Sequence, residues 1–229
     1  MRAIHLAAAG TVLLAVHTLL RKWKRQQRAA RLAKHTMSLD LLPCERGPII
    51  CMSPPTSTVT YFRGDMRNAE EYFSKRVAAM VHANPWLASV LDHDESGTLV
   101  AYYPACATST IHCPFTIRKD IALSRARTSY ADMVQCLDNT LCKTSEKSAG
   151  TAEPLWKVAL IPDADEPYDR FALVVSANHS LLDGHGFYRL YNMLSSNAEV
   201  QALSPARKQE IPAKILEAMG GQPSLMALC

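Results

Sequence analysis

Apolar positions along this chain fall into two periodicities, and each predicts a kind of element. Short β-branched and aromatic runs bounded by turn residues read as strands. They occur at residues 58–62, 99–103, 155–161 and 170–176, with 111–117 a further one. The turn-rich stretch 162–167 between two of them predicts a hairpin. Helical spacing appears at Tyr72, Phe73, Val77, Met80 and Val81, behind a cap signal at Asn68. That helix ends at Asn84-Pro85, because the residue before a proline is pushed out of the helical region. A second capped helix starts at Ser129, with Tyr130, Met133, Val134, Leu137 and Leu141 on one face. Phe187, Leu190, Tyr191 and Leu194 predict a third, in which Tyr188, Tyr191 and Leu194 read as core rather than ligand contacts. A short one is expected over 213–219. Residues 38–55 carry four prolines and no period, and read as a linker. The polar stretches 92–97 and 142–153 read as a turn and a loop. Helices interleaved with hairpins predict an α/β (α+β) domain, a mixed sheet with helices packed on it. The boundaries are 1–37 for an N-terminal segment, 38–55 for the linker, 56–200 for the domain and 201–229 for a tail.

The first 39 residues differ from the rest. Residues 3–20 form an 18-residue run without a charged side chain, followed by Arg21, Lys22, Lys24, Arg25 and Arg28 around Trp23. As a helix the run would span roughly 27 Å, near the short end of what a bilayer core of about 30 Å requires. Basic residues on its C-terminal side predict an anchor with residues 21 onward in the cytosol. The same charge polarity argues against a cleaved secretory signal, while a mitochondrial or plastid transit peptide is the alternative.

Charge acquires meaning from this division. The net charge is +4, but eight basic and no acidic side chains precede Asp40. Setting those eight apart leaves residues 40–229 at −4. The basic excess is an address, and a nucleic-acid partner is not expected. Hydrophobic residues at 48% and charged residues at 20% exclude global disorder. A length of 229 residues allows one ordinary domain with an appendage. Seven cysteines without a Cys-x-x-Cys pair give no zinc knuckle and read as reduced thiols. The acidic stretch Asp92-His-Asp-Glu95 reads as a solvated turn rather than a metal site.

The chemistry concentrates where the last apolar strand runs into Asn178-His179-Ser180-Leu-Leu-Asp183-Gly184. A histidine at the end of a buried strand is rigidly aimed, and its ordinary pKa of about 6.5 suits a general base near neutrality. Asp183 would organise the intervening turn, and Gly184 would supply backbone freedom there. A metal site from His179, Asp183 and His185 matches no established ligand spacing, so no metal is expected.

His179-x-x-x-Asp183-Gly184 resembles the His-x-x-x-Asp-Gly signature of the chloramphenicol-acetyltransferase-like acyltransferases. That superfamily includes nonribosomal-peptide condensation domains, plant BAHD acyltransferases, wax-ester and diacylglycerol synthases and alcohol acetyltransferases. The likeness covers residues 56–200, and it implies a single half-module of that mixed-sheet fold. It implies transfer of an acyl group from acyl-CoA, or a carrier thioester, to an alcohol, amine or lipid acceptor, with no bound cofactor. His179 would be the general base. Asp183 would order the loop, held by an arginine, with Arg63 the candidate. Gly184, Ser180 and Asn178 would face substrate, and Ser180 or an amide near Gly184 would stabilise the oxyanion. Asn178 stands where many relatives have a second histidine. Many relatives also have two halves with the channel between them, and plant members carry an Asp-Phe-Gly-x-Gly motif in the second. This sequence has neither. Chloramphenicol acetyltransferase itself is half-length and completes its sites at trimer interfaces. A homo-oligomer or partner chain is therefore implied for activity. The alternative is a catalytically silent or truncated half-module that serves as a binding domain.

Overall fold

The structure is a computed structural model describing residues 16, 18–20, 22–23, 25–106, 113–121, 123–208, 210, 214 and 217. The chain divides into two compact units, residues 1–34 and 35–229. In the first, the described residues between 16 and 32 lie on a helix, α1. Among the described residues no helix is long and apolar enough to cross a membrane. Most of the 3–20 run lies outside the described residues, as does most of the helix expected over 213–219.

The second unit is built on two sheets. The larger orders its strands β2 (Thr56–Arg63), β7 (Arg170–Ala177), β6 (Trp156–Pro162), β5 (Phe115–Ile117). β7 runs antiparallel to both neighbours, and β5 runs parallel to β6, so the sheet is mixed as expected. β7 is apolar at successive positions because both faces are covered. Phe171, Leu173, Val175 and Ala177 join the main core with α3 (Met66–Ala83) and α6 (Gly184–Asn192). Ala172 and Val174 face a smaller cluster holding Leu123, Ile121 and Leu137 of α4 (Tyr130–Leu137). A strand buried on both sides cannot shift by one residue without sending its whole set of side chains to the wrong face. The position at which β7 ends is thereby fixed.

Several local expectations are corrected. Residues 38–55 are built into the domain. β1 (Met37–Asp40) pairs with β4 (Leu99–Tyr103) in a three-stranded antiparallel sheet, and α2 (Pro48–Met52) follows. Leu39 and Leu41 are buried, so two apolar contacts outweigh the proline punctuation. The third strand, β3 (Val90–His93), takes the start of the expected polar turn, and Asp92 is buried within it. The cap of α3 is Asp65, whose Oδ1 accepts from the Asn68 amide at 2.8 Å, rather than Asn68. On α4 only Leu137 is buried, while Tyr130 and Val134 are exposed. The expected loop at 142–153 contains one helical turn, α5 (Ser145–Ser148).

The first part of the expected tail is tied down. Asn84 donates from Nδ2 to Gln201 O at 2.9 Å and accepts from the Leu203 amide at 2.7 Å. Trp86 Nε1 donates to Leu203 O at 3.1 Å. Residues 201–208 are therefore a strap along the end of α3 and the short 3-10 turn Pro85–Ala88.

Candidate active site

β7 leaves the sheet at Ala177, and the next six residues make the turn into α6. Asn178 is the centre of that turn and is 1% exposed. Its Oδ1 accepts from Ser145 Oγ at 2.7 Å and from the Ser180 amide at 2.9 Å. Its Nδ2 donates to Lys143 O at 2.9 Å. Its main-chain amide donates to Leu155 O at 2.8 Å, and its carbonyl accepts from the Leu181 and Leu182 amides. An amide side chain so buried and so fully paired fixes the backbone on both sides of it. Ser180 is also fully buried. Its hydroxyl donates to Glu45 O at 2.6 Å and lies 2.7 Å from Ser145 Oγ. Neither side chain reaches a surface that a substrate could touch. The hydroxyl proton of Ser180 goes to Glu45, so it is no oxyanion donor.

Between these two anchors His179 is half-buried. Its Nε2 lies 3.3 Å from the Oγ1 of Thr56, the first residue of β2. Thr56 pairs opposite Ala177 in the sheet, so strand register brings the two together across 123 residues. When Thr56 donates, the Nε2 lone pair accepts from it and the ring proton sits on Nδ1, which is the tautomer a base acting through Nε2 requires.

Asp183 is exposed and caps α6, its Oδ1 accepting from the Gly186 amide at 2.7 Å. Among the described residues no cation pairs with it. Arg63 is excluded as its partner. It sits seven residues along β2 from Thr56, roughly 23 Å away at about 3.3 Å per residue. The arginine that holds the turn is Arg207 in the strap. It donates from Nη2 to Leu181 O at 2.8 Å and Ser180 O at 3.3 Å, and it pairs through Nε with Glu45 at 2.9 Å. Sequence spacing gave no sign of this, because Arg207 and Glu45 lie at opposite ends of the domain.

Gly184 does not have the backbone reason expected for it. It is not among the glycines with a positive φ, and a Cβ placed on it would meet nothing within 4 Å. Gly186 is the tight position, where a Cβ would lie 3.0 Å from Leu182 Cδ2 and 3.1 Å from Asp183 Oδ1. Open space at Gly184 means that nothing in the described chain demands its missing side chain.

A cavity of about 570 Å³ opens on the Asp183 side of the turn, between Leu42, Leu182, Arg189 and Leu203. His179 is not among its lining residues. Cys142, near the same strand end, is buried and donates from Sγ to Ser176 O at 3.4 Å. Burial pushes its thiol up to about 12, so it remains neutral and is no nucleophile.

No protein-family model matches the chain, and no curated protein matches it by sequence. Solved structures do match it by fold. F. sporotrichioides TRI101, solved in complex with Coenzyme A and T-2, superposes with a TM-score of 0.51 at 12% identity. The match covers 77% of this chain and 46% of that one. The first condensation domain of the CDA synthetase superposes at 0.51 and 14% identity, covering 82% of this chain and 45% of its own. This chain thus spans somewhat under half the length of each. The fold is the chloramphenicol-acetyltransferase-like, condensation-domain fold that the His179–Gly184 resemblance implied.

Proposed function

We propose that this domain transfers an acyl group from a thioester, acyl-CoA or a carrier-bound acyl group, to a hydroxyl or amine. The observation that carries the reading is the fixed position of His179. It stands at the end of a doubly buried strand, clamped by Asn178 on one side and Ser180 on the other, with Nε2 turned to a hydroxyl oxygen. Thr56 Oγ1 marks where an acceptor hydroxyl would lie. As the acceptor oxygen attacks the thioester carbonyl, its proton passes to Nε2. The tetrahedral oxyanion then collapses, the carbon–sulfur bond breaks, and the imidazolium returns the proton to the departing thiolate. The products are an ester or amide and a free thiol, and His179 is regenerated. The CoA in the TRI101 structure supports a thioester donor for this fold.

Asp183 has the role of helix cap in this scheme, and Asn178 and Ser180 hold the loop. Gly184 is the member of the turn whose open side leaves room for a ligand or a second wall. A second reading, a silent binding module, draws on the cavity that lies beside Asp183 rather than His179. The deciding experiment is release of free CoA thiol from acyl-CoA across a panel of alcohols and amines. Wild type and His179→Ala are compared at the same oligomeric state, set by light scattering. Equal rates, or none from either protein, favour the second reading.

A further inference from the structure

We propose that α1 seats on an anionic lipid surface, lying in the plane of that surface rather than across it. Val16, Leu19, Leu20 and Trp23 stand at i, i+3, i+4 and i+7, and all four are exposed. At 100° per residue they share an arc about 100° wide, the apolar stripe of an amphipathic helix. Lys22 and Arg25, also exposed, project from the other side of the same turns. The charge around them is one-signed: eight basic residues and no acidic one precede Asp40. A stripe of two leucines, a valine and a tryptophan, flanked by cations, matches an acyl boundary below and anionic headgroups above. Trp23 is the last residue of the stripe along the helix, with an apolar ring and a polar N–H suited to that boundary. An acidic protein groove would match the cations but leave the wide apolar stripe without cover on its open flank. The lipid surface covers both.

The three tryptophans make the test specific. Trp86 and Trp156 are buried in the second unit, whereas Trp23 is more than half exposed. Intrinsic fluorescence that responds to vesicles therefore reports Trp23. The full chain is mixed with phosphatidylcholine vesicles, with or without phosphatidylserine, and with brominated acyl chains as quenchers. The expected result is a blue shift and bromolipid quenching on phosphatidylserine vesicles, with little on pure phosphatidylcholine. About 0.5 M salt should reverse it, because screening shortens the reach of surface charge to a few ångströms. Lys22→Glu with Arg25→Glu should weaken binding at least tenfold, given the size of the contribution per basic residue. Leu19→Ser with Leu20→Ser should abolish the quenching while fluorescence from the buried tryptophans stays unchanged. No shift on either vesicle overturns the proposal. So does salt-resistant quenching of equal size on neutral vesicles, which would mean insertion driven by hydrophobicity alone. Retention of wild-type binding by the charge-reversed variant would overturn it as well.

Discussion

His179 and Thr56 meet across the β7–β2 ladder, Nε2 to Oγ1 at 3.3 Å, with the turn behind His179 held by buried hydrogen bonds. The arrangement separates chemistry from support. Among the described residues the His179 side chain makes this one long hydrogen-bond contact, and its removal leaves the anchors on either side intact. Replacing His179 with alanine should therefore lower thiol release by about 10²–10⁴-fold, the usual range for a positioned general base. The urea midpoint should stay close to that of wild type. A variant that unfolds at clearly lower urea would place His179 in the structural network instead.

Asn178 is the converse case. Asn178→Ala leaves the buried Ser180 amide without its acceptor and takes one partner each from the Ser145 hydroxyl, which keeps Ser180 Oγ at 2.7 Å, and from the part-buried Lys143 carbonyl. Buried groups left unpaired cost about 1–3 kcal/mol each, partly relieved by relaxation, so a loss of about 3 kcal/mol is expected. The check is a lower urea midpoint at unchanged slope, which separates stability from a change in compactness. Because Asn178 clamps the backbone beside His179, thiol release should fall further than the fraction folded.

The difference between these two residues also shows what the sequence could and could not reveal. β-Branched and apolar runs located β2, β4, β6 and β7, because a doubly buried strand leaves a continuous apolar signature. The strand-to-turn position of His179 and the place of Asp183 on that turn were legible for the same reason, whereas the cap that Asp183 makes on α6 was not. Residues 38–55 were misread because composition reports local turn chemistry, whereas pairing of β1 with β4 is decided some sixty residues away. α4 shows an apolar stripe that its neighbours leave partly open, and periodicity alone does not tell which stripe finds cover. Asn178 looked like a ligand contact because it adjoins His179. Its burial depends on Ser145, on a turn that local pattern read as loop. Arg207 and Glu45 lie 162 residues apart, and no local pattern could join them.

The two glycines of the turn should answer differently to the same change. Gly184→Ala adds a methyl group into open space at a helix start without positive φ, so stability should change by under about 1 kcal/mol. Gly186→Ala forces Leu182 or the Asp183 carboxylate to move, at roughly 1–2 kcal/mol. Thermal or urea unfolding measures both. A fall in thiol release by Gly184→Ala at full stability would show that a ligand or a second wall comes close to that position. Equal destabilisation by both variants would contradict the geometry of the turn.

Arg207 tests whether the strap controls the turn. Its ion pair with Glu45 is largely shielded, with side-chain exposures of 14% and 19%, and the same guanidinium holds two turn carbonyls. Arg207→Ala leaves a shielded carboxylate and those carbonyls without their cation. A loss of about 2–3 kcal/mol is expected, somewhat below the range for a fully buried pair. Glu45 also accepts from the Leu42 amide at 2.8 Å, so the carboxylate keeps one partner and the loss stays bounded. Removing both partners together should cost less than the sum of the single changes, since the double variant leaves no orphaned charge. The readout that a general loss of stability would not give is local. Amide exchange should quicken in 201–208 and 179–183 while β6 and β7 keep their protection. Unchanged exchange in the turn would mean that Asn178 alone sets the position of His179. Coupled quickening would make the strap a positioning element for the proposed base.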